Sequence, residues 1–517
     1  MDSHLNSDNS GIYPLYNPQQ LNDNTQKTGH LPPFRATALL LLSAFGYLLL
    51  YAAPIFSLYF TLDLFFSFSG ELLYTDTTLI TIKTLAIPGC LYISYYIYHL
   101  MPDLPVGRLS NHKEFPELFK LVNSICDEYG YTELDHIKIS RRFEIATIKT
   151  PRNGFLTRFN NTLVIGLPLM QSITQNQLKL AISHEIFKLS GYLKRSTSFI
   201  YYTHENWQQL NTANQLNTRH TKTLPGFFMT WYALSYDFLS RPARRHENLN
   251  ADSHIHASTH DHSFSKLLLT LLISRNYLQQ IFWPQLYSNA YMHATPPYLP
   301  YSSIESHLQQ NLDKSQSRNW INIALRAHEE DTALPSLKTR LINLSCDEIK
   351  VPPEVKHSSA AALINSKLNE ITQTMDSLWL NRHQEEWETK YKKGLVERKK
   401  LKELAIQARH GLLSDIKAWE YIQLIKLYID KKKAISLYLQ ILKINIRDPR
   451  ISFDIGRSLL ESMVESGVMA LERTVQLDSR YSVSCYQLIA RYYTGIGNNK
   501  LAQSYRRKTL VHQLEVA

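Results

Sequence analysis

Cysteine is scarce in this chain, with four residues among 517, at Cys90, Cys126, Cys346 and Cys485. They lie far apart with no paired spacing, which argues against a disulfide framework and a thiolate zinc site and fits a reducing compartment. No base-reading module occurs anywhere. The formal charge of +11 is therefore read as a basic solvated surface or an affinity for anionic membranes, not as nucleic-acid recognition. Residues 1–33 contain neither an early apolar signal region nor an Arg-rich amphipathic pattern; rich in Asn, Asp, Gln and Pro, they read as a disordered cytosolic tail. The chain as a whole has the composition of folded protein, 44% hydrophobic and 20% charged with only 17 Gly. Its length calls for two or more domains.

Charge is missing altogether from Ala36 to Leu62, a run of 27 residues. That exceeds the roughly 20 residues needed to cross a bilayer and predicts a transmembrane helix. A second apolar segment, Thr77 to Leu100, carries Lys83 near its start and Pro88-Gly89 in its middle. It predicts a second span, with a buried or re-entrant hairpin as the alternative. The intervening loop holds Asp63, Glu71 and Asp76 but no Lys or Arg, whereas Lys27 and Arg35 precede the first segment and Arg108, Lys113 and Lys120 follow the second. The positive-inside rule then puts both termini and the main domains on the cytoplasmic side of an inner or plasma membrane.

Past the hairpin, Glu117 to Gly130 has helical periodicity, and His136–Ser140, Phe143–Lys149 and Thr162–Gly166 read as strands. Ser172 to Leu193 reads as a long helix, and the rest as helices interrupted at Pro242, Pro296-Pro297 and Pro352-Pro353. Asp448-Pro449-Arg450 and Asp478-Ser479-Arg480 stand 30 residues apart, each between two helical stretches. Helix pairs at that period are the mark of a tetratricopeptide-like solenoid, with a plain bundle as the alternative. The expected organisation is a tail (1–33), a transmembrane hairpin (34–100), a domain with a small sheet (101–350), a charged helical linker (351–410) and helical repeats (411–517). The expected fold class is mainly α.

One stretch inside the long helix, AISHEIFKLSGY from Ala181 to Tyr192, bears on chemistry. Residues four apart share a helix face, so a His-Glu-x-x-His helix presents two zinc ligands beside a general base, with a third ligand from a downstream helix. Here His184 and Glu185 are followed by Lys188. An ammonium has donors only and repels a cation.

A bare His-Glu pair is weak, but three runs occur in order: TLVIGLPLMQSITQNQLKLAISHE with IFKLSGYLKRSTSFIYY, then SRPARRHENLNADSHIHAS, then LRAHEEDTALPSLKTRLINL. Together they resemble the HtpX-like and CAAX-prenyl-protease-like membrane zinc metallopeptidases, over roughly residues 36 to 510. Two spans ahead of the protease core and tetratricopeptide-like helices behind it fit a known bacterial arrangement. The resemblance implies a zincin-like α+β middle domain. It places His184 at the first zinc-ligand position, Glu185 at the general base, Lys188 at the second ligand position, Asn248 at the third and Asp252 behind the ligands. Ala333 stands where the family has a histidine, and Phe143-Glu-Ile-Ala146 matches its substrate-pairing edge strand.

The losses fall on the chemistry, so the expectation is a catalytically impaired pseudo-peptidase without zinc, binding peptides or proteins through its cleft and helical repeats. Lys188 is expected near Glu185 and Asp252, neutralising acids that a metal would balance. The alternative is an active zinc-dependent endopeptidase of membrane-protein quality control with atypical ligands. Recruitment of Glu247 as a ligand is disfavoured, because one residue along a helix turns the side chain by about 100°. The cluster His246, His254, His256, His260 and His262 reads as a metal site or, more simply, a solvated face.

Overall fold

The computed structural model describes residues 33–69, 77–99, 107–110, 112–131, 134–151, 159–189, 195–216, 223–259, 262–327, 333–346, 349–410, 413–442, 448–496 and 498–516. The tail expected at the N-terminus lies outside them, apart from Pro33. The described chain is mainly helical with one small mixed sheet. It divides into two compact units: Met1–Trp283 with Leu299–Leu378, and Pro284–Tyr298 with Trp379–Ala517.

The first unit opens with helices α1 (Pro33–Ser69) and α2 (Thr77–His99), which pack against each other. α1 bends by 44° between Thr37–Leu49 and Tyr51–Phe66, close to Pro54, whose missing N–H removes a helical hydrogen bond. No single described helix is long and apolar enough to cross a membrane, although the bent pair within α1 has the length and composition together. Lys83 of α2 forms an ion pair with Asp63 of α1.

The sheet follows, with β1 (Arg108–Leu109), α3 (Pro116–Glu128), β2 (His136–Ser140), β3 (Ile145–Pro151) and β4 (Phe159–Gly166). Its order is β1-β2-β4-β3. β4 runs parallel to β2, pairing Ile137 with Leu163, and antiparallel to the edge strand β3, pairing Ala146 with Val164. At the end of β4 a glycine is required. A Cβ on Gly166 would lie 1.9 Å from the Arg142 carbonyl oxygen, where the turn before β3 folds back and the Gly166 N–H donates to the Glu144 carbonyl.

After the short α4 (Leu167–Met170), α5 (Gln175–Leu189) buries Leu178, Ile182 and Ile186 against its neighbours. Helices α6 (Arg195–Leu216) and α7 (Leu224–Ser258) form an antiparallel pair whose core, Trp207, Leu210, Tyr232 and Tyr236, also takes in Leu39 of α1. Gly46 makes that joint close, since a Cβ there would meet Tyr232 Oη at 2.3 Å. The expected break at Pro242 does not occur: α7 runs straight through it. Proline removes one backbone donor, while Arg241 and Arg244 both bind the Asp237 carboxylate across that turn, at 2.8 and 2.6 Å, and hold it together. The unit continues with α8 (Ser263–Tyr277), a π-helical turn at Leu278–Phe282, the first residue of α9 (Trp283–Ser288), α10 (Pro300–Asn311), α11 (Lys314–Arg326), α12 (Leu337–Asn343), α13 (Ser359–Leu363) and the start of α14 (Asn365–Arg409).

The second unit takes α9 from Pro284 on, the rest of α14 and then α15 (Asp415–Tyr428), α16 (Lys431–Leu442), α17 (Pro449–Glu461), α18 (Ser466–Leu477), α19 (Ser482–Gly495) and α20 (Asn499–Val516). Successive helices pack in pairs, α15 on α16, α17 on α18 and α19 on α20. One core joins Leu401, Ile425, Tyr438 and Ile455, and a second joins Leu460, Leu471, Ile489 and Tyr505. The two Asp-x-Arg segments do the same local work: Asp448 and Asp478 each accept the N–H of the residue two along, Arg450 and Arg480, and so cap the following helical turn.

Candidate functional site

α5 begins with a reciprocal cap, in which Thr174 N–H donates to Gln177 Oε1 at 3.0 Å and Gln177 N–H to Thr174 Oγ1 at 3.3 Å. The helix then packs against α3, α7 and α8. His184 and Glu185 are buried, and the Lys188 side chain is only 10% exposed. From the facing helix α7, Glu247 and Asp252 are buried too, at 3% and 0% exposure.

The charges settle into two pairs. Lys188 Nζ lies 2.7 Å from Glu185 Oε1. Arg340 of α12 reaches across to Asp252 with both prongs of its guanidinium, Nε to Oδ2 at 2.7 Å and Nη2 to Oδ1 at 2.6 Å. This two-pronged geometry is the strong form of the pair. His184 stands next to both carboxylates, with Nδ1 3.4 Å from Glu185 Oε1 and Nε2 3.0 Å from Asp252 Oδ1.

Burial alone would raise both carboxyls. The Lys188 charge, followed by His184, outweighs it for Glu185 and holds it down at about 2. The Arg340 hydrogen bonds, with His184 behind them, do the same for Asp252, also at about 2. Glu247 goes the other way: burial pushes it up to about 8, and the charges of Lys188 and Arg244 only partly oppose the rise. Its Oε1 is buried without a hydrogen-bond partner. Near pH 7 Lys188 and Arg340 therefore stand against two carboxylates, Glu185 and Asp252, while Glu247 is a neutral acid.

Two expectations need correction. Asp252 takes its counter-charge from Arg340, because a bidentate guanidinium on α12 is closer and better shaped than a single ammonium; the acids in the field of Lys188 are Glu185 and Glu247. Glu247 also faces inward. The buried arc of α7 spans Ala243, Arg244, Glu247, Ala251, Asp252 and Ile255, wide enough to admit position 247 as well as its neighbour. Asn248 is half-buried and donates through Nδ2 to the carbonyl oxygens of Arg244, at 2.9 Å, and Ala333, at 3.3 Å. Position 333 thus enters the site through its backbone.

The donor set does not fit zinc. A tetrahedral site needs three or four N, O or S ligands converging on one point, and no group of three such side chains converges among the described residues. Of the histidine cluster, His254 stacks on Phe187 with ring centroids 4.3 Å apart, the His256 and His262 rings are neighbours with centroids 5.8 Å apart, and His260 is outside the described residues. In comparisons with known proteins, no family model and no curated protein matches this chain.

Arg340 is the functional residue that sequence reasoning passed over as a role, although it stands in the quoted run LPSLKTRL. The available signal was a fully buried acid on one helix and a lone Arg on a nearby short one, but only the fold brings them together.

Proposed function

We propose that the chain is a membrane-anchored protein with a metallopeptidase-like middle whose centre is catalytically idle, and that it works as a scaffold for peptide or protein partners. The observation that carries this is Lys188 at 2.7 Å from Glu185. The ammonium occupies the place a cationic metal would take and ties up the carboxylate that would activate water. Pairing with Arg340 keeps Asp252 in place without metal. The bent apolar helix α1 and the Lys83–Asp63 pair between α1 and α2 support anchoring by a helical hairpin, because ionisable residues among apolar helices are found paired. The stacked helix pairs of the second unit support a tetratricopeptide-like array.

The test combines zinc analysis of purified protein with cleavage of casein, comparing wild type with Glu185→Gln. Metal-free protein and identical behaviour of the two forms are expected. Stoichiometric zinc that disappears in His184→Ala would overturn the reading. A second reading, an active zinc endopeptidase with atypical ligands, draws on one observation, the buried and unsatisfied carboxyl of Glu247. It requires Lys188 to leave the centre, and the same zinc analysis decides it.

A further inference from the structure

Several cations of the second unit are paired with carboxylates. Lys390 lies 2.6 Å from Glu386, Arg457 lies 3.1 Å from Asp454, and Arg480 lies 2.9 Å from Asp478. One place differs. Along α20, Lys500, Arg507, Lys508 and Val511 recur at helical spacing and, with Tyr486 of α19 and His512, line an open groove of about 730 Å³. Among the residues whose side chains are described, no carboxylate lines it. Two acids of α18 and its N-cap are engaged elsewhere, Glu472 by Tyr505 Oη at 2.6 Å and Glu465 by Tyr493 Oη at 3.4 Å. Lys508 is held in position by aromatic faces, its Nζ 4.5 Å from the Tyr505 centroid and 5.7 Å from that of Tyr486, so one cation is already ordered before anything binds.

We infer that this groove is the docking site for an acidic peptide segment, its carboxylates received by Lys500, Arg507 and Lys508 and its aliphatic parts by Tyr486 and Val511. Charge complementarity selects the partner. A cationic groove repels basic chains and gains nothing from neutral ones, whereas carboxylates meet three cations for which no carboxylate partner stands among the described side chains. A groove with an aromatic wall also suits an extended chain better than a flat lipid surface. The inference rests on the scaffold reading only in taking the partner to be protein. The idle centre is tested separately by zinc content, so the two fail independently.

The experiment uses the full chain in detergent and follows the anisotropy of a rhodamine-labelled poly-Glu peptide of about eight residues. Saturable binding that weakens with added NaCl is expected. Lys500→Glu with Arg507→Glu, both on the exposed face of α20, should reduce affinity by about tenfold or more. Lys390→Glu with Lys400→Glu, the same change of charge elsewhere on the unit, should leave it unchanged, with circular dichroism showing that both variants are folded. Equal loss in the two double variants, or no loss in the first, overturns the proposal. So does binding to phosphatidylserine vesicles without binding to the peptide, which would assign the groove to lipid.

Discussion

Replacing Lys188 by Met keeps the length of the side chain and deletes its charge, and the cost can be worked from the two glutamates around it. Glu185 sits at about 2 against an ordinary 4.5. At about 1.4 kcal/mol per pKa unit, that depression contributes roughly 3 kcal/mol of stability at pH 7, present above the ordinary value and lost as pH falls toward 2. Glu247 shows where a buried carboxyl here settles without a cation bonded to it, at about 8. A Glu185 moved that high is neutral in the fold at pH 7 and ionised when unfolded, which costs roughly 3 kcal/mol more. The ceiling is then about 7 kcal/mol, and relaxation brings the expected loss to about 3–5 kcal/mol, as for other buried pairs stripped of one partner. Glu247 adds little, being neutral at pH 7 already. The loss should fall to about half at pH 4, where Glu185 is protonated in the variant whether folded or not. Urea unfolding in detergent, read by proteolysis of the opened chain, measures it. In the double variant Lys188→Met with Glu185→Gln most of the stability should return. A loss under about 1 kcal/mol for the single variant, or strict additivity in the double, refutes the pairing as the source of stability.

Glu247→Gln removes a group that is neutral in the fold but ionises on unfolding above its ordinary 4.5. Wild-type stability should therefore fall as pH rises from about 4.5 to about 8, and the variant should be flatter and more stable at pH 8; identical pH profiles would count against the buried acid. Arg340→Lys keeps the charge but loses the fork that grips Asp252. It should loosen α12 and increase proteolysis just before it, an effect Arg340→Ala would enlarge to about 3–5 kcal/mol of lost stability. Gly46→Ala drives a methyl into Tyr232 and should cost about 1–3 kcal/mol through overpacking, measured as a lower thermal midpoint in detergent. Lys188→His with Asn248→Glu should bind zinc where wild type does not, tested by metal analysis after dialysis.

Much of the fold was legible because its signals are local. The strand Thr162–Gly166 is a short apolar run bounded by Asn and Leu-Pro, and it forms the middle of the sheet as β4. The two Asp-x-Arg segments announced helix starts through a capping geometry that needs only neighbouring residues. Pro242 misled for the opposite reason: a proline signals a break by its missing N–H, yet the contacts that carry α7 through it, Arg241 and Arg244 on Asp237, depend on side chains meeting in space. The site divides along the same line. Helical spacing placed Lys188 beside Glu185 correctly. The partner of Asp252, 88 residues away, was out of reach of any spacing rule, and the inward turn of Glu247 depends on how wide a face α7 buries.

That width also explains why a cation stands at position 188. A hydrophobic residue there would leave Glu185 buried with only His184 to oppose the burial, and would remove from Glu247 the field that partly opposes its own rise. An ammonium at 2.7 Å resolves both at once: it keeps Glu185 ionised, and its field lowers Glu247 from the still higher value that burial alone would impose. Arginine would bring a wider, planar head into a space shared with His184. Lys188 is therefore best understood through its effect on two acids, so its replacement should change the titration of Glu247 even in a variant where Glu185 has already been made neutral. In a Glu185→Gln background, adding Lys188→Met should move the pH at which stability stops falling upward from about 8. An unchanged endpoint would mean that Lys188 and Glu247 are not coupled, and that the ammonium serves Glu185 alone.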